Sequence, residues 1–183
     1  MKSIREQAGD AAQWWRALQP NRPNGERNPT ADRAALARLR RADLRAAMSD
    51  PAAFDLFRRL GCGHPQDLPD VALCAAVLAG VREDRPGEHP ARTLGPPSPE
   101  AVEQAAMKRL RFRRLIEAEA PEDRLILLRR AVQFADRRLD VAQLAAACLD
   151  WSERRRQRWI FEYYAAGRAA PDAAVAPAEE PAL

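Results

Sequence analysis

The sequence predicts an all-α fold, built as two small helical bundles. Only eight of the 183 residues are glycine, and the alternating runs of Val, Ile and Thr that are typical of strands are absent. Helix-start signals recur, as where Asp140 precedes Gln143 and Asp150 precedes Glu153 by three residues. Between 125 and 135, apolar residues repeat at helical spacing opposite arginines. These observations favour amphipathic helices throughout.

The N-terminal half is predicted to form one bundle, residues 1–80. A first helix stops before Pro20, and an Asn/Pro/Gly-rich loop over 21–29 follows it. Thr30 is the expected N-cap of the second helix. An apolar run near the end of this half predicts a helix that is buried on most sides. The predicted helices are 3–18, 30–48, 51–60 and 67–80.

The segment 81–98 contains four prolines and two glycines among charged residues, which predicts a surface loop or an interdomain linker. Ser98 is expected to cap a long helix that begins with Pro99. The C-terminal bundle is then predicted over 99–167, and residues 168–183 are expected to form a disordered acidic tail. The predicted helices of the C-terminal bundle are 98–119, 121–138, one that begins at 140, and 150–164.

The charge pattern predicts a polyanionic partner. The net charge is only +4, but the sequence pI is about 9.4 and arginines cluster on predicted helix faces. A GC-rich coding bias that places arginine on ordinary solvated faces is the competing explanation. Three cysteines, an odd number without framework spacing, favour a reducing cytoplasm. With no long apolar stretch, the chain is expected to be soluble and not exported.

Motifs for catalysis or cofactor binding are missing from the sequence. It contains no phosphate-binding glycine loop, nucleophile elbow or HExxH motif. Only His64 and His89 could serve as imidazole bases, and both lie in predicted loops. Together with Cys62 and Cys74 they match no standard zinc spacing. We therefore expect no enzymatic activity, no metal and no cofactor.

The arginines of the second helix share one face. On a continuous helix Arg38, Arg41 and Arg45 would lie within about 60° of each other, opposite Leu36 and Leu39. Arginine makes bidentate contacts to phosphate oxygens, which give affinity without sequence preference. Nothing in the pattern indicates a base-reading helix. These clusters therefore predict contacts to a nucleic-acid backbone.

A set of residues spread in order over most of residues 10–165 forms a further pattern. They are Trp14-Trp15-Arg16, Leu18-Gln19, the run from Asp32 to Arg41, Leu128-Arg129-Arg130, Leu139-Asp140, Trp151, Trp159 and Tyr163-Tyr164. With these residues in this order, the chain resembles the CasB family, the small subunits of the type I-E CRISPR Cascade complex.

The resemblance implies a non-catalytic helical subunit, present in two copies beside other Cascade subunits. Its basic surface would hold the crRNA–target heteroduplex and the displaced DNA strand, and so stabilise the R-loop. The family's basic positions fall on Arg40, Arg41, Arg111, Arg130 and Arg154. Helical-wheel position adds Arg38, Arg45, Arg129, Arg137 and Arg155.

Two alternatives remain open from the sequence. Arg40 lies nearer the apolar side than Arg41, so a structural ion pair with Asp43 or Asp32 competes with a nucleic-acid role. The whole chain could also be a helical protein–protein adaptor, whose arginines meet acidic partners or water.

Overall fold

Helices account for most of the structure. The computed structural model describes residues 2–21, 25–98 and 100–165, and ten α-helices and two short strands lie within them. The helices are α1 (Ile4–Leu18), α2 (Arg33–Arg41), α3 (Leu44–Met48), α4 (Pro51–Arg59), α5 (Leu68–Leu78), α6 (Pro90–Leu94), α7 (Arg109–Glu117), α8 (Pro121–Phe134), α9 (Val141–Leu149) and α10 (Glu153–Ala165). The all-α prediction is confirmed.

Side-chain caps fix where many of these helices begin. Ser3 and Glu6 form a reciprocal capping box at the start of α1. Asp140 accepts the Gln143 backbone N–H at 2.9 Å at the start of α9. Asp50 caps α4 ahead of Pro51. Because these residues satisfy N–H groups that have no partner inside the helix, the helix starts could be predicted from short sequence patterns.

Helix α5 lies at the centre of the molecule. Every residue from Val71 to Ala79 is buried, and α5 packs against α2, α3, α4, α8 and α9. Helix α1 packs on α9, and it buries Trp14 and Trp15. A single cluster of buried residues includes side chains from α1 through α10. The two halves of the chain therefore share one core, and a boundary between two bundles remains a prediction.

The segment 81–98 is more ordered than the predicted loop. Strand β1 (Glu83–Asp84) pairs in parallel with β2 (Arg138–Leu139), and α6 follows with Ala91 and Leu94 fully buried. Asp84 accepts hydrogen bonds from the Val141 backbone N–H at 3.0 Å and from Arg16 at 2.7 Å. The segment is thus attached to both halves of the chain.

Helices α6 and α10 pack with their backbones in close contact. A Cβ atom at Gly95 would overlap the carbonyl oxygen of Tyr163 and lie 3.1 Å from its carbonyl carbon. The Tyr163 ring stacks on Phe112 with 3.9 Å between ring centroids, and its hydroxyl donates to the Met107 carbonyl at 2.7 Å. These contacts fix α10 against α6 and α7.

The helix predicted over 30–48 is two helices. Asp32, and not Thr30, caps α2, and Asp43 caps α3 by accepting the Ala46 N–H at 2.7 Å. Ala42 between them has an extended backbone (φ −63°, ψ 136°). The Asp43 side chain offers the backbone an alternative to a continuous helix, because aspartate favours caps over helix interiors. The single face predicted for Arg38, Arg41 and Arg45 is therefore interrupted.

The helix predicted from Ser98 to Glu119 is also wrong in its first half. Pro99 lies outside the described residues, a 3-10 turn covers Val102–Gln104, and α7 starts only at Arg109. The Met107 N–H donates to the Leu94 carbonyl at 3.0 Å, and Met107 is buried. This tertiary contact holds the chain across the end of α6 and overrides the local helix signal. The predicted disordered tail lies outside the described residues.

Candidate nucleic-acid interface

Three of the predicted site residues meet at one small pocket, which we call the arginine pocket. Arg40 reaches it from α2, Arg129 from α8, and Arg137 from the turn between α8 and β2. The pocket has a volume of about 140 Å³. Its other lining residues are Ala76, Gly80, Val132 and Gln133. Of the described residues that line it, none is acidic.

Backbone carbonyls position two of these guanidinium groups. The Nε of Arg40 donates to the carbonyl of Ala79, the residue that follows α5, at 2.5 Å. The Nη2 of Arg129 donates to the carbonyl of Leu39, in the last turn of α2, at 2.6 Å. Carbonyls at helix C-termini lack intrahelical donors and have partial negative charge, so cations are favoured there. The alternative that Arg40 forms an ion pair with Asp43 or Asp32 is wrong.

The charges of the pocket are only weakly compensated. Burial lowers the pKa of Arg40, and the nearby positive charges of Arg137 and Arg82 lower it further. Burial also lowers the pKa of Arg129, against an opposing effect of Asp43. Both guanidinium groups remain protonated at neutral pH because arginine titrates far above it. The pocket therefore concentrates positive charge that an anion would stabilise.

Four other predicted arginines are exposed. In the described part of the chain, no carboxylate lies within ion-pair distance of their side chains. They are Arg41 on α2, Arg45 on α3, Arg130 on α8 and Arg154 on α10. Each is available to a partner, and each lies on a different helix.

The remaining three predicted arginines have partners within the chain. Arg38 forms an ion pair with the buried Asp50 at 2.9 Å, and this hydrogen bond raises the pKa of Arg38. Arg155 pairs with Asp150 at 3.1 Å. The guanidinium of Arg111 lies over the Phe134 ring, 5.2 Å from its centroid. The charges of Arg38 and Arg155 are thus partly neutralised, which makes them weaker candidates.

One basic residue near the pocket was missed by the sequence interpretation. Arg82 is exposed and close enough to Arg40 to lower its pKa. Its backbone N–H donates to the Arg137 carbonyl at 2.8 Å. Arg82 lies outside any helix, so no helical face could have identified it. The pairing of β1 with β2 brings this part of the chain to the pocket.

The residues weighed as possible metal ligands are dispersed. Within residues 2–21, 25–98 and 100–165, no three His, Cys, Asp or Glu side chains are grouped so that they could hold a metal ion. His89 caps α6, and its Nδ1 accepts the Ala91 N–H at 3.2 Å. Cys74 and Cys148 are buried free thiols. Among the same residues, no helix combines the length and apolar character needed to cross a membrane.

Comparison with known proteins identifies the family. Residues 35–164 match the family model of the CRISPR-associated protein Cse2. No curated protein and no solved structure matches the chain. The matched region includes α3 to α9 complete, nearly all of α2 and α10, and the whole arginine pocket. The chain therefore belongs to the Cse2 family, the family of the small subunit of the type I-E Cascade complex.

Proposed function

We propose that this chain is a non-catalytic subunit of a crRNA-guided Cascade complex that binds nucleic acid through its arginines. It would hold the crRNA–target heteroduplex and the displaced strand, and thereby stabilise the R-loop. In the complex it would act as two copies beside the other subunits, in the cytoplasm that the cysteine count predicts.

The arginine pocket is the observation that carries this proposal. Arg40 on α2 meets Arg129 on α8 and Arg137 in the turn after α8, and the pocket lining contains no acidic residue. A coding bias toward arginine gives no reason for three guanidinium groups to meet at one pocket whose lining contains no acidic residue. Arg41 on α2 and Arg130 on α8 are exposed and follow Arg40 and Arg129 directly in the sequence. Guanidinium contacts to phosphates supply affinity without base reading, which suits a complex whose specificity comes from guide pairing.

A protein–protein adaptor is the second candidate, and a surface of α10 favours it. Ile160, Phe161 and Tyr164 are 38%, 58% and 48% exposed. Large apolar side chains at this exposure are typical of contact surfaces. The two candidates predict different effects of charge reversal, because an adaptor would lose assembly and a nucleic-acid subunit would lose R-loop stability.

The deciding experiment measures R-loop lifetime on the reconstituted complex. Arg41→Glu combined with Arg130→Glu removes two exposed cations and adds two acids. The matched control is Arg5→Glu with Arg114→Glu, which makes the same charge change at exposed residues outside the predicted set. Native mass measurement verifies that each variant assembles. Faster release of target DNA by the first variant alone supports the proposal.

Two results would count against it. If both variants release DNA at the wild-type rate, the arginines of α2 and α8 are ordinary surface residues. If the Arg41/Arg130 variant folds but fails to join the complex, the adaptor function is favoured.

A further inference from the structure

We propose that the arginine pocket is a binding site for a single phosphate group, held by Arg40, Arg129 and Arg137. The inference deepens the proposed function, and rests on it only in that nucleic acid is one source of the phosphate. The other source is a free or terminal phosphate. Both present the same chemistry, a tetrahedral anion with several oxygen acceptors.

The size of the pocket selects a small ligand. Pockets for organic ligands commonly measure about 300–1,000 Å³, whereas this one measures about 140 Å³. That volume corresponds to a few water molecules at about 30 Å³ each. One phosphate group with its nearest waters is of the right size.

The donors that surround the pocket match a tetrahedral anion. Each guanidinium has five N–H groups, and the bonds to Ala79 and Leu39 occupy only one N–H of Arg40 and one of Arg129. The Nε of Arg129 is buried and has no acceptor in the described structure. The Arg137 side chain has no hydrogen-bond or ion-pair partner among the described residues. A carboxylate offers two oxygens, while a phosphate offers enough for three converging arginines.

The bonds to backbone carbonyls also preorganise the site. Arg40 and Arg129 line the same pocket, and a hydrogen bond to a carbonyl at the end of a helix fixes each of them. Their side chains therefore lose little freedom when an anion binds. Burial and repulsion from Arg137 and Arg82 lower the pKa of Arg40. A bound anion would offset this repulsion.

The test changes the charge of the pocket and keeps its arginines. Gln133 is exposed and lines the pocket, so Gln133→Glu places a carboxylate beside the three guanidinium groups without disturbing the core. Gln13→Glu makes the same change at an exposed position on α1, outside the pocket. Thermal unfolding of the full chain is then measured in sodium phosphate and in sodium chloride at equal pH and ionic strength.

Inorganic phosphate is expected to raise the Tm of the wild type and of Gln13→Glu by roughly 2–4 °C relative to chloride at saturating concentration. Phosphate is expected to leave the Tm of Gln133→Glu unchanged relative to chloride. In chloride, the Tm of that variant should be no lower than that of the wild type. Equal Tm values in phosphate and chloride for the wild type would overturn the proposal. So would an equal phosphate effect in both variants.

Oligonucleotide binding separates the two sources of phosphate. Single strands with a 5′-hydroxyl or a 5′-phosphate are titrated against the wild type and Gln133→Glu. If the pocket takes backbone phosphates, Gln133→Glu weakens both strands, and inorganic phosphate displaces both. If it takes terminal phosphates, only the 5′-phosphorylated strand is affected. If inorganic phosphate raises the Tm but neither strand binds, the result supports the pocket and counts against the nucleic-acid function. If the strands bind and neither inorganic phosphate nor Gln133→Glu alters that binding, the result supports the nucleic-acid function and counts against the pocket.

Discussion

Arg137 combines an unfavourable backbone conformation with a position in the arginine pocket. Its φ of 62° follows the φ of 51° at Asp136, so two successive residues adopt the left-handed conformation. Such residues cost about 1–2 kcal/mol each when they are not glycine, asparagine or aspartate. The conformation ends α8 and directs the Arg137 carbonyl to the N–H groups of Arg82 and Glu83. The side chain of Arg137 is therefore dispensable for the turn itself.

Replacing Arg137 with asparagine should stabilise the fold and weaken the site. Asparagine tolerates the left-handed region, and the change removes a charge that repels Arg40. We expect the free energy of unfolding to rise by about 1 kcal/mol, as measured by urea denaturation. Nucleic-acid affinity of the same variant should fall. Arg137→Lys, which keeps the charge, is the control, and a lower stability for Arg137→Asn would contradict this account of the turn.

His89 makes stability depend on pH. Burial lowers its pKa to about 4, while a histidine in an unfolded chain titrates near 6.5. Between these values the unfolded chain binds more protons than the folded chain, so stability falls as pH decreases from about 6.5 to about 4. Above pH 6.5 the imidazole is neutral in both states, and its contribution is constant.

Substitution of His89 by asparagine should reduce this dependence. Asparagine keeps a side-chain acceptor for the Ala91 N–H at the start of α6 and does not titrate. Urea midpoints measured between pH 7 and pH 4 should fall less steeply for His89→Asn than for the wild type. Parallel curves would show that His89 does not set the dependence.

Among the elements, those bounded by local signals were predicted well. Helix α1 starts directly after Ser3, where the predicted helix begins, and α4 starts at the predicted proline. The errors arise where tertiary contacts determine the chain path, as at Met107, whose N–H bonds to Leu94. No local pattern contains that information. The break at Asp43 is different, because an aspartate before Leu44 is itself a cap signal that the longer helical periodicity concealed.

The cap of α9 also holds a neighbouring segment. The Asp140 carboxylate accepts the Gln143 backbone N–H at 2.9 Å and the Gly87 N–H at 2.8 Å, and it is buried. Asp140→Ala should lower the free energy of unfolding by about 2 kcal/mol, because the cap of α9 and the Gly87 N–H both lose their acceptor.

Asp43→Ala, at the exposed cap of α3, is the control for this effect. It removes one cap bond and should cost about 1 kcal/mol or less. Both values come from chemical denaturation. Equal losses at the two positions would show that the bond to Gly87 contributes nothing.

For the whole molecule, the sequence indicated the residues of the candidate site better than their arrangement. All three pocket arginines were among the predicted residues, Arg40 as one of the family's basic positions and Arg129 and Arg137 from helical-wheel position. Their convergence depends on α5, which packs against both α2 and α8 and so brings Arg40 and Arg129 together from 89 positions apart. Helical wheels describe one helix at a time and do not predict contacts between helices. The same limitation left Arg82 unassigned.

Salt dependence tests the nucleic-acid surface as a unit. The logarithm of the binding constant for single-stranded DNA on the reconstituted complex should decrease linearly with the logarithm of salt concentration, by about 0.7 per phosphate contact. Arg41→Gln with Arg130→Gln should make this slope shallower by about 1–2 if each loses a contact. Arg113→Gln is the control, because Arg113 pairs with Glu117 at 2.7 Å. An unchanged slope in the double variant would exclude both arginines from the interface.

The close packing at Gly95 restricts how the sequence can change over time. Its φ of −76° suits any residue, so conformational preference alone would permit alanine. The carbonyl of Tyr163 occupies the space that a Cβ atom would need, and even alanine would push α10 away from α6. Gly63 has open space around it. In a saturation library, position 95 should tolerate only glycine, while position 63 should accept many residues. Gly95 is therefore one of the least replaceable residues of the protein, although it has no side-chain carbon.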